Sequence, residues 1–423
     1  MSLCQKTAFE LLKEIGFVRN AGTPEELKAA KILQAHAQNA GAVATIVPFE
    51  IAEGNVFTAK FEITEPYQKE YKVTGYKCCE NCEDLEAEFL YVENALDANL
   101  TNAKGKIVLV NGYLRLPAFR KILDAGAVAI VTFAGSMLNT REENDLLTRK
   151  LRDTMLAFGN MPAVHMDIND AFEIVKNKAS KAKITVKGEN ITLTSHNVEV
   201  TIEGSKFPEQ IVSFGAHYDS TELSCGVFDN GAGSVINMEI MKYFLENQPK
   251  RTVKFLWYGS EEIGLCGSKA FVASLSEEEL KKHVLMVNVD VGAPVLGFNG
   301  CMVTASKELT AHCDKFMKSK GYAVEVQQKI YSSDCIPFAD KDIPAINFVR
   351  GGADGSTFIH SSHDVMDFLS EDGLGALIPP TFEFSESLIN SEVFPEPRSI
   401  PQEIRDDVDK YLFKKELEEA KNK

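Results

Sequence analysis

Most of the residues able to do chemistry in this 423-residue chain follow short apolar runs. Ile211 to Phe214 leads into Gly215-Ala216-His217-Tyr218-Asp219, and Phe228-Asp229-Asn230-Gly231 opens the helical pattern that comes next. Val253 to Tyr258 is followed by Gly259-Ser260-Glu261-Glu262, and Val284 to Val289 by Asp290. Ala345 to Val349 runs into a glycine-rich loop ending in His360-Ser361-Ser362-His363-Asp364. Two imidazoles, three carboxylates and a spare glutamate suit a borderline cation such as Zn²⁺. A carboxylate shared by two such ions makes a co-catalytic pair that acidifies a water and polarises a carbonyl. A glutamate beside that water, but off the metal, then moves its proton, and the adjacent Glu261 and Glu262 are able to divide these roles.

Taken singly, each feature has a plainer reading. A lone histidine after a strand is usually structural, Asp229 is placed to cap a helix, and a glutamate pair is usually a solvated turn. Asp290 is the exception, because an aspartate within Met-Val-Asn-Val-Asp-Val-Gly is expected to be buried, and buried carboxylates are seldom left unpaired. The decisive point is convergence. In open α/β sheets ligands bind beyond the carboxyl ends of the strands, and every candidate lies at such an end.

The elements needed to hold them there are legible in outline. From about residue 190 apolar strand runs alternate with helical patterns, which predicts an α/β fold whose mostly parallel sheet is covered by helices on both faces. Residues 5 to 40 read as two amphipathic helices, with Thr23 as a cap, Pro24 at the first helical position and Glu26 completing a capping box. Residues 50–188 are β-rich with one strand, helix, strand unit over Ile107 to Val110, Leu116 to Gly126 and Ala127 to Phe133, which predicts an inserted domain. The catalytic domain is then discontinuous, 1–49 and 189–423, with 392–423 as a peripheral arm.

Composition narrows the partners. With 45 basic and 61 acidic residues the formal charge is −16, which repels nucleic acid and anionic lipid. The longest apolar run, Ala127 to Ala134, is far short of the roughly 20 residues that cross a bilayer, so no membrane partner is expected. Nine cysteines, an odd number in a long chain, point to reduced thiols and a cytoplasmic location, with secretion left open. Cys78, Cys79 and Cys82 read as incidental thiols on an exposed hairpin tip. A homo-oligomer is compatible with the sequence.

At these residues the chain resembles the zinc aminopeptidase and glutamate carboxypeptidase II-like metallopeptidase family. The resemblance runs from Arg19–Glu26 through Ser195-His196-Asn197-Val198 and each sheet-edge motif to Asp364. It implies a zinc-peptidase fold, two zinc ions held by His217, Asp229, Glu262, Asp290 and His360 with Asp229 bridging, and Glu261 as general base. It also implies that Asp219 orients the His217 ring. His360 rather than His363 fits the pattern of His, Ser or Thr, two variable residues, then Asp. Tyr331, ahead of Ser332-Ser333-Asp334, is offset by about one residue from the oxyanion-stabilising tyrosine of some relatives; the alternative is a packing tyrosine. Asn102 to Asn111 with Ala125 to Val131 resembles the protease-associated domain, which in relatives narrows access to the cleft. The implied activity is removal of N-terminal residues from peptides. The rival readings are a carboxypeptidase or dipeptidase, with Arg350 as the only obvious carboxylate clamp, a one-zinc glutaminyl cyclase-like transferase, and an inactive receptor-like relative.

Overall fold

The computed structural model describes residues 3–395 and 397–421. They divide into two compact units, one made of the chain up to Ile51 together with Thr194–Leu412, the other of Ala52–Leu193 with the chain from Phe413 onward. Among the described residues no helix is long and apolar enough to cross a membrane.

In the first unit the strands that carry the candidate residues are neighbours. β1 (Lys181–Ile202) contributes its last turns, and β2 (Phe207–His217), β3 (Arg251–Tyr258), β4 (His283–Val289), β5 (Gly297–Thr304), β6 (Val324–Gln328) and β7 (Ala345–Gly352) complete the sheet in the order β6-β5-β7-β4-β2-β3-β1. The four central strands β3, β2, β4 and β7 are parallel, and they are the four apolar runs of the sequence. β1 is antiparallel to β3 and β5 to β7. The register sets Tyr258 beside His217 and aligns Gly215, Asn288 and Asn347.

Strand side chains alternate between two faces, so the central strands supply two different cores. One face carries Phe214, Phe255, Trp257, Val287 and Phe348, packed with α1 (Gln5–Ile15), α2 (Pro24–Asn39), α3 (Ala232–Glu246), α5 (Lys307–Lys320) and α7 (Glu371–Ile389). The other carries Leu256, Tyr258, Met286 and Ala345, covered by Phe271 and Val272 of α4 (Cys266–Ser274) and Phe338 of α6 (Cys335–Ala339). Burying each large apolar side chain is worth about 1.5–3 kcal/mol, so both faces must be covered for the sheet to persist.

Three details depart from the sequence reading. Glu26 does not close a capping box: Thr23 Oγ1 accepts the Glu26 N–H at 3.3 Å, but the fully buried Glu26 carboxylate accepts the Gly22 N–H rather than that of Thr23, and its other oxygen accepts from Ser195 Oγ, Tyr218 Oη and the His196 N–H. A buried carboxylate needs several donors, and the cap offers one. Residues 392–423 contribute α8 (Gln402–Tyr411), whose Ile404 and Val408 are buried with Leu265 and Ile336. Cys79 and Cys82 are half-buried rather than at an exposed tip, within hydrogen-bond reach of the Ala163 and Ile184 carbonyls.

The second unit has its own core. The parallel strands Ile107–Val110, Ala129–Ala134 and Ala163–Asp167 pair in that order, flanked by Cys82–Tyr91 and Val73–Gly75. Phe61, Phe89, Val131 and Val164 lie on one side and Phe119, Ile122 and Ile130 on the other.

Candidate metal centre

β2 ends at His217, and Asp290 is the first residue beyond β4, so the two side chains leave neighbouring strands at the same sheet edge. Asp229 reaches them from the turn before α3, where Asp229 and Asn230 leave the helical conformation (φ −120° and −136°) and are joined by a cis peptide. His217 Nε2 lies 3.1 Å from Asp229 Oδ1 and 3.6 Å from Asp290 Oδ1. The other Asp229 oxygen, Oδ2, is 3.3 Å from His360 Nε2, which is 2.9 Å from Glu262 Oε2. Two trios result, His217 with Asp229 and Asp290, and Asp229 with Glu262 and His360. In each, the ligand atoms lie within 4.8 Å of one another, and Asp229 is common to both.

The surrounding residues hold this arrangement from behind. Asp219 Oδ1 is 3.5 Å from His217 Nδ1, and the same carboxylate accepts the backbone N–H groups of Glu261 at 2.9 Å and Glu262 at 3.2 Å. One aspartate therefore sets both an imidazole and the glutamate turn. Asp364 accepts the Phe228 N–H at 2.8 Å and the Asp229 N–H at 3.1 Å, fixing the bridging carboxylate. The Asn230 amide donates to the Val289 carbonyl and accepts from Gly233 and Val291, tying the same turn to the end of β4. Arg19, fully buried, donates to the carbonyls of Ile15, Phe17, Tyr218, Cys225 and Gly226, which clamps the loop between His217 and Asp229. Asp364, Asn230 and Arg19 all lay inside segments singled out in the sequence, but their partners are up to 207 residues away, and no spacing rule reveals such pairings.

The charges explain why a cation belongs here. Burial opposes ionisation of His217, yet Asp219, Asp229 and Asp290 hold it well above its usual range. His360, likewise opposed by burial, is raised to about 11 by Asp229 and Glu262. Burial and then the charge of Asp229 push Glu262 up to about 7, and burial with Glu262, Asp334 and Asp290 pushes Glu261 well above the carboxylate range. Five ligand groups that can be kept together only by protons on the imidazoles are groups arranged for divalent ions instead. The donor set, two imidazoles and three carboxylates with no thiolate among them, fits zinc.

Tyr331 is half-buried, and its phenol is raised by burial and then by Asp290, Asp229 and Glu261, so it sits in the field of the same carboxylates. His360 is on a loop, with a left-handed backbone (φ 54°) and a side chain 45% exposed. His363 belongs to neither trio; it is exposed, with its ring 5.7 Å from that of Phe358. Arg350 donates to the Pro294 carbonyl and to Asn299 Oδ1.

Residues 197–379 match the sequence model of peptidase family M28. The matched span contains every residue named in the two trios. Over a longer span, 64% of the chain is 26% identical to aminopeptidase YwaD of Bacillus subtilis, and 37% is 30% identical to leucine aminopeptidase 2 of Trichophyton equinum. The matches cover 60% and 34% of those two relatives' lengths. The fold is also that of the solved zinc aminopeptidase BSAP from Bacillus subtilis, with a TM-score of 0.74 at 21% identity over 94% of this chain and 97% of that one.

Proposed function

We propose that the chain is a two-zinc aminopeptidase. The observation that carries this reading is the pair of trios sharing Asp229, with Glu261 adjoining but outside both. The M28 match and the names of YwaD, leucine aminopeptidase 2 and BSAP support the same reaction class. In this reading His217, Asp229 and Asp290 hold one ion and Asp229, Glu262 and His360 the other. Bound zinc supplies Lewis acidity toward a peptide carbonyl and lowers the pKa of a water.

The chain's own residues do the rest. Asp219 fixes the direction of both His217 and the Glu261-Glu262 turn, so the base cannot drift as the trios fill. Glu261, half-buried and off the ligand sets, takes a proton from the attacking water and passes it to the departing amine. Tyr331 provides a hydroxyl for the developing oxyanion. The surplus of carboxylates favours a substrate's ammonium end, and Arg350, the clamp that a free carboxylate would need, is engaged by Pro294 and Asn299. Exposed Phe358 and Ile359, which directly precede His360, favour apolar residues at that end. The unit built on Ala52–Leu193 is read as a protease-associated domain on the strength of its strand, helix, strand core.

Chromogenic aminoacyl substrates tested beside their N-acetylated forms, with zinc added, decide the polarity. Only the free-amine forms should be cleaved. Cleavage of N-blocked peptides from the carboxyl end, or cyclisation of N-terminal glutamine, would overturn the assignment.

A further inference from the structure

The face of the sheet that carries His217 and Asp290 is apolar further down, at Leu256, Met286 and Ala345, but four buried polar groups interrupt it. Tyr258 stands beside His217 in the register, and Asn288 and Asn347 lie level with Gly215 on the next strands. Asp334, at the start of α6, covers the same face. All four are at most 1% exposed.

Their hydrogen bonding is incomplete in a consistent way. Asn288 Nδ2 donates to Asn347 Oδ1 at 2.8 Å, which leaves Asn288 Oδ1 as a lone acceptor and Asn347 Nδ2 as a lone donor. Tyr258 Oη and both oxygens of Asp334 also have no partner among the described residues. Ser268 faces Asp334, but its hydroxyl is 3.3 Å from the Leu265 carbonyl. Each buried polar group left unmade costs roughly 1–3 kcal/mol, and four such groups on one face would remove much of a domain's stability.

The groups converge. A Cβ on Gly215 would come within 2.3 Å of Met286 Cε, 2.8 Å of Tyr258 Cε2 and 3.0 Å of Asn288 Oδ1, so Tyr258 and Asn288 meet, with the Met286 methyl, over the one position in β2 that lacks a side chain. Asp334 opens α6, whose Cys335 and Phe338 pack with Tyr258 and Met286, and Tyr258 ends the strand that leads directly into Gly259-Ser260-Glu261. Donors and acceptors are both represented, and a water that bridges such groups makes about three hydrogen bonds.

We propose that Tyr258, Asp334, Asn288 and Asn347 form a closed hydration site behind Glu261, in which ordered water ties Asp334 into the sheet as a positioning residue for that glutamate. The step rests on the reading of Glu261 as base. Water is the ligand because these donors and acceptors stand together with no direct bond between Tyr258, Asp334 and the asparagine pair, whereas Ser213 and His283 in the same layer satisfy each other at 2.8 Å. The site fixes the field at Glu261 without touching substrate, as groups just outside a ligand set do elsewhere.

The test is a crystal structure of the zinc-loaded protein at a resolution that shows water, together with kinetics of Asp334→Asn and Tyr258→Phe. Ordered water within hydrogen-bond distance of both Asp334 and Tyr258 is expected, and a dry site in which the four groups pair directly overturns the proposal. Asp334→Asn should lower kcat about 10- to 100-fold while KM, zinc content and Tm hold. Unchanged kcat, or a loss that follows zinc content or Tm, overturns the positioning role. If Asp334→Asn does not fold, Tyr258→Phe, which removes only a hydroxyl, must lower kcat with KM unchanged and lose the water it binds. Should the parent protein cleave no aminoacyl substrate, the aminopeptidase reading fails, while the crystallographic result still judges the hydration site.

Discussion

His217 and His360 approach the same carboxylate from opposite sides under opposite constraints. His217 ends a central parallel strand, is fully buried, and is oriented by Asp219 from behind. His360 hangs from a loop, strained into a left-handed backbone and half exposed, with only Asp229 and Glu262 to hold it. A group already ordered by packing gives up little freedom when it binds, whereas a loop must be ordered first. The two trios should therefore differ in affinity: the one built on His217 retentive, the one built on His360 easily emptied.

The largest expected effect lies in neither trio and shows that holding metal and moving protons are separate tasks. Glu261→Gln should retain two zinc ions yet lower kcat by about 10²–10⁴-fold. If zinc is lost instead, while Glu262→Gln keeps it, the roles within the glutamate pair are exchanged.

Next come the histidines themselves. His360→Ala should lose one zinc and nearly all turnover at low zinc, with partial recovery as zinc is raised, because the loop trio retains two carboxylates. His217→Ala should not recover, since it leaves Asp229 and Asp290 facing each other in a buried site. His363→Ala, three residues from His360 but outside both trios, should keep both metals and change mainly KM. Equal recovery of the first two variants would break the distinction between strand and loop.

A smaller effect is expected at Asp364. It holds the backbone of the shared Asp229, so Asp364→Asn should weaken both zinc sites together by about 10- to 100-fold in isothermal titration. Weakening of only one would show that Asp229 is not shared in solution.

The last effects come from protons and act on stability rather than on zinc or turnover. His283 is buried with Ser213 as its partner, 2.8 Å away, and burial lowers it to about 4; Lys254 and Arg398 add to this and Glu279 opposes it. The unfolded chain therefore binds a proton between about pH 4 and 6.5 that the folded chain refuses, and stability should fall as the pH is lowered through that window by up to about 1.4 kcal/mol per pH unit. His360 has the reverse sign. Raised to about 11, it contributes stability to the metal-free chain below about pH 6.5, lost as the pH rises toward 11. Denaturant midpoints measured across pH should show His283→Gln flattening the acid limb, while zinc flattens the alkaline one.

That pair of histidines also shows what a sequence can and cannot disclose. His217, His283 and His360 are the same residue type, each placed at the end of a strand or in a loop, and only their surroundings tell a ligand from a packed imidazole. The four parallel strands were legible because their apolar runs are short, undiluted and each followed by a chemically distinctive residue. β5 and β6 were not, since β5 is buried only in its second half and β6 offers just Val324 and Val326 among polar residues, neither fully buried. Glu26 misled for a physical reason: local spacing fits a cap, but Ser195, His196 and Tyr218 arrive from distant segments and claim the carboxylate. Asp364 and Arg19 act on backbone groups far along the chain, a kind of contact that no residue pattern encodes.

Zinc titration of the metal-stripped chain, read simultaneously by bound metal and by cleavage of an aminoacyl substrate, tests the central claim most directly. Two sharing trios of unequal rigidity predict one tight and one weaker equivalent, with turnover reaching its plateau only as the second fills. Saturation of both binding and turnover at a single equivalent would contradict the two-zinc account.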